Sequence, residues 1–265
     1  MTQPNQQSLD KRQIEKQFSR AASSYNQAAV LQKQIIEQLV EKLDELSLTP
    51  KNIVDLGCGT GLGLSALHRR FPEAKLTGID IAEGMLVQAA KTCPKAELHK
   101  ADIELLPLQD QTFDLVFSSS TLQWCDLGIA LKEAARIIEP NGHLALAMFG
   151  QGTHAEWHAA WAETDQYQHT LEYPDQVQVA ARLKKLGFNF THMWGDFASM
   201  QFDSTREALR SVKDIGATNA HNDRHKGLMG KYRFFKFTKA FERLSPQHRL
   251  SYRTLNFVAQ KAQSA

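Results

Sequence analysis

Apolar residues recur at steps of three or four between Asn26 and Ser47, at Ala28, Leu31, Ile35, Leu39, Leu43 and Leu46, which predicts a helix laying one stripe on a larger body. Beyond it the period changes. Short apolar runs near 52–56, 75–80, 96–101, 113–119 and 142–149 read as strands, and helical spacings near 61–71, 82–92 and 127–139 fall between them. Strand and helix in regular alternation predict a doubly wound α/β sheet, Rossmann-like and mostly parallel. Pro140-Asn141-Gly142 is a turn signal in front of the fifth strand. From Gln151 to Arg249 the pattern loosens into helical segments near 154–167, 175–186, 204–215 and 228–244 with an extended stretch near 188–202, and Leu250 to Gln260 alternates as a final strand. The chain thus divides into an N-terminal helical segment (1–50), an α/β core (51–150), a looser region that also contributes core elements (151–249) and a closing strand (250–265).

Composition narrows this picture. A chain of 265 residues with 42% apolar content buries one good core and carries an insertion. Cys58, Cys93 and Cys125 are scattered, odd in number and without a C-x-x-C pair, so no disulfide framework or cysteine metal site is expected and a reducing, cytoplasmic setting is implied. The first twenty residues lack an apolar signal core, and no apolar run is long enough to span a bilayer, so a soluble protein with no membrane partner is expected. Net charge is only +2, but between Thr205 and Arg253 there are 12 Lys/Arg against 4 Asp/Glu, which leaves the remainder acidic. Such asymmetry points to an acidic partner or polyanion, or to a solvated basic face.

The chemistry concentrates at Val54-Asp55-Leu56-Gly57-Cys58-Gly59-Thr60-Gly61, an apolar strand that ends in an acid and runs into three alternating glycines. Glycines so spaced let the backbone turn sharply and let a ligand approach the main chain. A dinucleotide fingerprint would place its third glycine at 62, where this chain has Leu62, so the loop is suited to a different cofactor. Leu76-Thr77-Gly78-Ile79-Asp80 is a second strand ending in an acid, at the spacing of a carboxylate that accepts ribose hydroxyls. Glu97 to Ala101 is a third, closed by Asp102-Ile103. One strand-end Asp is commonly a helix cap; three at successive strand ends point to a ligand, because open α/β sheets bind at the carboxyl edge.

Asp55 followed by Gly57-x-Gly59-x-Gly61 resembles motif I of the class I S-adenosyl-L-methionine methyltransferases. That resemblance implies a late antiparallel strand, a helical lid over the cofactor mouth, and a cofactor site of Asp55, Gly57, Gly59, Gly61, Asp80, Ile81, Met85, Asp102 and Ile103, with S-adenosyl-L-homocysteine as product and no metal. Asp55 suits an ammonium group, and Asp102 with the Ile103 amide would meet adenine. Met85 would pack on the ring, although a Met at helical spacing is also simply core.

More narrowly, the chain resembles the malonyl-acyl-carrier-protein O-methyltransferases that begin biotin synthesis. The likeness is carried by Phe18-Ser19-Arg20-Ala21-Ala22-Ser23-Ser24-Tyr25, by Leu122-Gln123-Trp124-Cys125 and by Val212-Lys213-Asp214-Ile215-Gly216-Ala217-Thr218-Asn219. The implied reaction is methylation of the free carboxylate of malonyl-acyl carrier protein (malonyl-ACP). A carboxylate ionised at neutral pH needs no general base, so no catalytic acid or base is nominated. It does need a cation, and Arg suits it best because its fork holds both oxygens. Arg210 or Arg224, with Lys213 nearby, is the expected clamp; these residues could equally be carrier contacts or surface charge. Tyr25, in a mobile-looking segment, would close over the methyl group or merely pack its ring. Gln123 and Trp124 would line the acceptor pocket, the alternative for Trp124 being core. Near 228–244, Phe234, Phe237, Phe241 and Leu244 share one face, while Lys231, Lys236, Lys239 and Arg243 offer the acidic carrier a docking face. The alternatives are a methyltransferase for another small molecule, such as a quinone precursor, and a cofactor-binding RNA-binding protein. The latter is disfavoured because the helix's phenylalanines are expected on its buried face, leaving Tyr232 the one aromatic near the basic side. No nucleic-acid partner is therefore expected.

Overall fold

A computed structural model describes residues 9–220 and 230–263. Two N-terminal helices, α1 (Lys11–Ala28) and α2 (Val30–Asp44), precede the alternating core of β1 (Asn52–Leu56), α3 (Leu62–Arg70), β2 (Lys75–Asp80), α4 (Glu83–Thr92), β3 (Glu97–Lys100), β4 (Phe113–Ser119), α5 (Leu127–Ile137) and β5 (Ile138–Phe149). There follow α6 (Ala155–Thr164), α7 (Gln176–Lys185), β6 (Phe188–Gln201), α8 (Thr205–Asp214), α9 (Lys231–Leu244) and β7 (Arg249–Lys261). The strands form one seven-stranded sheet in the order β3-β2-β1-β4-β5-β7-β6. β1 to β5 run parallel, and β7 is antiparallel to both β5 and β6, as the class I resemblance implied.

The alternation of side chains along the central strands builds two apolar layers. Ile53, Leu115 and Phe117 pack on one face against Leu39 and Leu43 of α2 and Leu64 and Leu67 of α3. Val54, Leu56 and Val116 face the other way, onto Leu131 and Ala134 of α5 and Val179 and Leu183 of α7. Leu39 and Leu43 are fully buried, each contributing about 1.5–3 kcal/mol, and that burial fixes α2 on the sheet. Asp10 caps α1 by accepting from the Gln13 amide, and Asp175 with Gln178 forms a capping box on α7.

Three departures from the sequence expectations are informative. The predicted helix from Asn26 is broken at Ala29 (φ −81°, ψ 50°), and the segment before it is a full helix. Ile14, Phe18, Ala21, Ala22 and Tyr25 were its helical stripe, obscured by a polar Gln-, Lys- and Arg-rich background. The Pro140-Asn141-Gly142 turn exists, with Asn141 at φ +66°, but it is an excursion within β5. Ile138 already pairs with Phe113, and the register shifts before His143 pairs with Leu115. Finally, α9 exposes Phe235 (58%) beside Tyr232 (77%), so phenylalanine is not confined to its buried face.

The sheet order reverses between β1 and β4. At such a point the loops leaving adjacent strands diverge and open a crevice at the carboxyl edge. Over this crevice lie α1, α8 and the paired helices α6 and α9. Trp161 of α6 stacks on Phe237 of α9 with ring centroids 4.2 Å apart.

Candidate active site

The loops after β1 and β4 meet closely. Gly57 has φ +76°, and a Cβ there would lie 2.1 Å from Cγ2 of Thr121, so no larger residue fits without displacing the β4 loop. Gly59, at φ +53°, faces open space where a side chain would otherwise stand. Its N–H donates to Asp80 Oδ2 (2.9 Å), while Asp80 Oδ1 accepts from the Ala82 N–H (2.8 Å), fixing the carboxylate at the end of β2. Burial raises the Asp80 carboxyl to about 6 against the pull of these backbone donors. Burial, reinforced by the Asp80 charge, raises Asp55 to about 8. Two carboxyls held above their ordinary range in one cleft favour a cationic ligand, whose charge would draw both toward ionisation.

Two small chambers flank this cleft. One is lined by Phe18, Asp80, Ile81, Asp102, Ile103 and Trp124; the other by Tyr25, Asp55, Gly57, Gly59 and Thr60. Together they hold seven of the nine expected cofactor residues, and also Tyr25. Gly61 lies elsewhere, at φ +84° as the cap of α3, where a Cβ would come within 3.0 Å of the Ala89 backbone; its role is close packing of α3 on α4. Met85 is buried with Ala22 and Ala82 beneath α1 and lines neither chamber. The acids, the open glycine and the strand-end positions fit an adenosyl cofactor carrying a cationic methionyl end.

α1 roofs this cleft and is tied to it along its length. Lys11 pairs with Asp102 (3.1 Å) and with Glu104, the Gly84 N–H donates to Ser19 Oγ (3.2 Å), and Thr60 donates its hydroxyl to Asn26. Phe18 meets Trp124 edge to face at 5.4 Å. Tyr25, expected in a mobile segment, stands in the last turn of α1, where burial and the Asp80 charge keep its phenol well above the ordinary range and hence neutral. Lys11 and Phe18 acquired no role from the sequence because their partners lie far away along the chain.

The third chamber is larger, about 350 Å³, and adjoins the other two. Ser120 lines all three, and Tyr25 is common to the large chamber and the glycine-loop chamber. Ser120 holds φ +57°, and its buried hydroxyl has no partner among the described residues. Gln123 and Trp124 line the large chamber as expected; Gln123 Nε2 donates to the Ser120 carbonyl (2.7 Å). The walls are aromatic, with Phe149, Trp157, Trp161, Tyr173 and Tyr252. His169 stacks on Trp161 at 3.6 Å and is held by Asp165 (2.8 Å). Among the described residues no carboxylate lines this chamber, and its one Lys or Arg is Lys213 of α8. Arg210 is exposed and lines no chamber, and Arg224 lies outside the described residues. Sequence reasoning passed over His154 and Trp157, neighbours at the start of α6 that form no motif, and Tyr252, which the β5–β7 pairing brings to them.

On α9, Lys231, Lys236, Lys239 and Arg243 are all exposed. Lys239 pairs with Glu242 and Arg243 with Glu163, while Lys236 reaches the Thr164 carbonyl (3.1 Å). The basic face is therefore partly neutralised toward the C-terminal end of the helix. No described helix is long and apolar enough to cross a membrane, and no metal-holding group of three or more His, Cys, Asp or Glu occurs among the described residues.

Residues 54–146 match the family described as methyltransferase domain. A protein of Halorhodospira halophila named malonyl-[acyl-carrier protein] O-methyltransferase is 33% identical over 239 residues, covering 89% of this chain and 81% of the relative. One of the same name from Dechloromonas aromatica is 36% identical over 236 residues, covering 88% and 87%. The crystal structure of a putative methyltransferase from Bacillus halodurans superposes with a TM-score of 0.63 at 13% identity, covering 86% of this chain and all of that one, and shares the fold.

Proposed function

The chain belongs to the malonyl-[acyl-carrier protein] O-methyltransferases, and from that premise we propose how its chambers perform methylation of the free carboxylate of malonyl-ACP, the reaction that gives the methyl ester at the start of biotin synthesis. The observation that carries the reading is the contrast at Ser120: acidic chambers suited to a cationic cofactor open onto a chamber with one lysine and no lining carboxylate among the described residues.

When bound, S-adenosyl-L-methionine supplies a methyl group on a sulfonium, already activated for transfer. The chain's own work is placement. Asp80 is positioned for the ribose hydroxyls, Asp102 and the Ile103 amide for adenine, and Asp55 for the ammonium group. Lys213 draws the acceptor's negative end into the large chamber, and Tyr25 and Ser120 stand where the chambers join. The acceptor carboxylate is ionised at neutral pH and needs no base. Holding oxygen, carbon and sulfur in line supplies roughly 7–11 kcal/mol, and aromatic walls exclude the water that would stabilise the separated charges. Lysine is a point charge without a fork, so orientation falls to neighbouring neutral groups. The resulting ester is uncharged and far cheaper to place in an apolar tunnel than malonate.

The carrier docks, on this reading, at the N-terminal part of the exposed α9 face. Lys231 and Lys236 form no ion pair among the described residues, and Tyr232 and Phe235 add exposed apolar surface. Intact-mass spectrometry of malonyl-ACP after incubation with the protein and S-adenosyl-L-methionine tests the reaction, with acetyl-ACP as the carboxylate-free control. One added methyl on malonyl-ACP alone is expected; methylation of neither carrier, with cofactor still bound, would refute the reading.

A further inference from the structure

His154 combines two costs, a left-handed backbone and a buried polar atom without a partner among the described residues. It adopts a left-handed backbone conformation (φ +55°) at the entry to α6, where its side chain forms no cap. It is only 9% exposed, and its Nε2 has no partner among the described residues. Its ring is wedged against Tyr252 (4.7 Å) and Trp157 (5.6 Å). Trp157 is 8% exposed, and its Nε1–H also lacks a partner. Strain and buried unsatisfied polar atoms are retained where something outside the resting chain satisfies them. Both residues line the acceptor chamber, together with Ser120, and neither lines a cofactor chamber.

We propose that His154 and Trp157 form a donor pair for the thioester carbonyl of the bound acceptor, so that the chamber recognises the acyl thioester as well as its free carboxylate. This rests on the functional reading above and extends it to the other end of the malonyl group. A carboxylate placed at Ser120, where the chambers meet, leaves the carbonyl two carbons away inside the acceptor chamber, whose unpartnered neutral N–H groups suit a neutral oxygen. Burial holds the His154 imidazole down at about 3, aided by neighbouring His158, so the ring is neutral at physiological pH and presents one N–H without adding a second charge.

The test pairs a change in the protein with a change in the substrate. Native protein is compared with Trp157→Phe, which keeps an aromatic ring but loses the N–H, and with His154→Phe. His154→Gln restores a donor near Nε2. Each is assayed with malonyl-ACP and with the carboxyethyl thioether of the same carrier, in which a methylene replaces the carbonyl. The expected result is a loss of about five- to tenfold in kcat/KM for malonyl-ACP in each Phe variant, with recovery in His154→Gln. No further loss is expected on the thioether, and cofactor affinity should be unchanged. Equal losses on both substrates, or no loss on malonyl-ACP, would overturn the donor pair. Native protein that methylates neither substrate would instead remove the functional reading on which the pair depends. Because the thioether probes the native chain, the comparison survives a variant that fails to fold.

Discussion

The cofactor chambers and the acceptor chamber share a wall at Ser120, yet they are built on opposite principles. The first are assembled from short local motifs, with Asp55, Asp80 and Asp102 each at the end of a successive strand and polar groups fixed by backbone donors. The second is assembled from single side chains on β5, α6, α8 and β7, mostly aromatic, with several buried polar atoms that have no partner among the described residues. A cofactor common to many enzymes is held by geometry that a strand end and a glycine loop dictate. An acceptor particular to one reaction is held by whatever the lid brings together.

The sharpest way to break this division is Asp80→Ala. If Asp80 takes both ribose hydroxyls, as proposed, its removal should weaken S-adenosyl-L-methionine binding by at least about 100-fold by calorimetry, at roughly 1.5–3 kcal/mol per charged hydrogen bond. An unchanged affinity would show that the acids are structural. A second test uses pH. Asp80 and Asp55 hold their protons up to about 6 and 8 in the free protein, above the unfolded Asp value of 3.8. The folded chain therefore binds more protons than the unfolded one, and ligand-free stability should fall as pH rises through that range. Cofactor affinity should move oppositely, rising by up to about tenfold per unit between pH 6 and 8 because a cationic ligand favours the ionised forms. Parallel melting and binding series distinguish the two trends, and a flat binding profile would contradict the coupling.

On the acceptor side, Lys213→Ala should raise KM for malonyl-ACP about fivefold, at roughly 1 kcal/mol for an exposed charge, and leave cofactor affinity unchanged. A change in cofactor affinity instead would erase the boundary between the chambers. Smallest is the carrier face. Glu at both Lys231 and Lys236 should raise KM about threefold at low salt and hardly at all at high salt. An effect independent of salt would argue against docking there.

The division also governs what could be read from the chain. The alternating core, the glycine loop and the strand-end acids were legible because each signal spans a few residues. The continuous stripe of α2 was clear, but α1 was hidden because Ile14, Phe18 and Tyr25 sit among polar neighbours, and its attachments lie as far away as Asp102 and Asn219. Pro140-Asn141-Gly142 signalled a turn correctly and its setting wrongly, since composition cannot tell a loop before a strand from an excursion within one. Met85 was open to both readings, and its burial beneath α1 could not be foreseen before α1 was recognised as a helix. The arginine clamp expected from charge pattern met a different geometry: on α8 the turn that faces the chamber carries Leu209, Val212 and Lys213, and Arg210 falls outside it. His154 gave no sequence signal, because neither a left-handed backbone nor an unpaired nitrogen exists before the chain has folded.

The placement of α1 bears on both ligand sites. Below, the helix is fastened to the cofactor cleft through Lys11, Ser19 and Asn26; above, it is fastened to the lid. The Asp10 N–H donates to the Ala220 carbonyl (2.9 Å), Gln17 to that of Asn219 (3.3 Å) and Ser24 to that of Asp214 (3.3 Å). A single rod thus serves as roof for one ligand and floor for the segment enclosing the other. Any displacement of α1 that opened the cofactor cleft would break its bonds to Ala220, Asn219 and Asp214 as well, so the two ligand sites share one fastening.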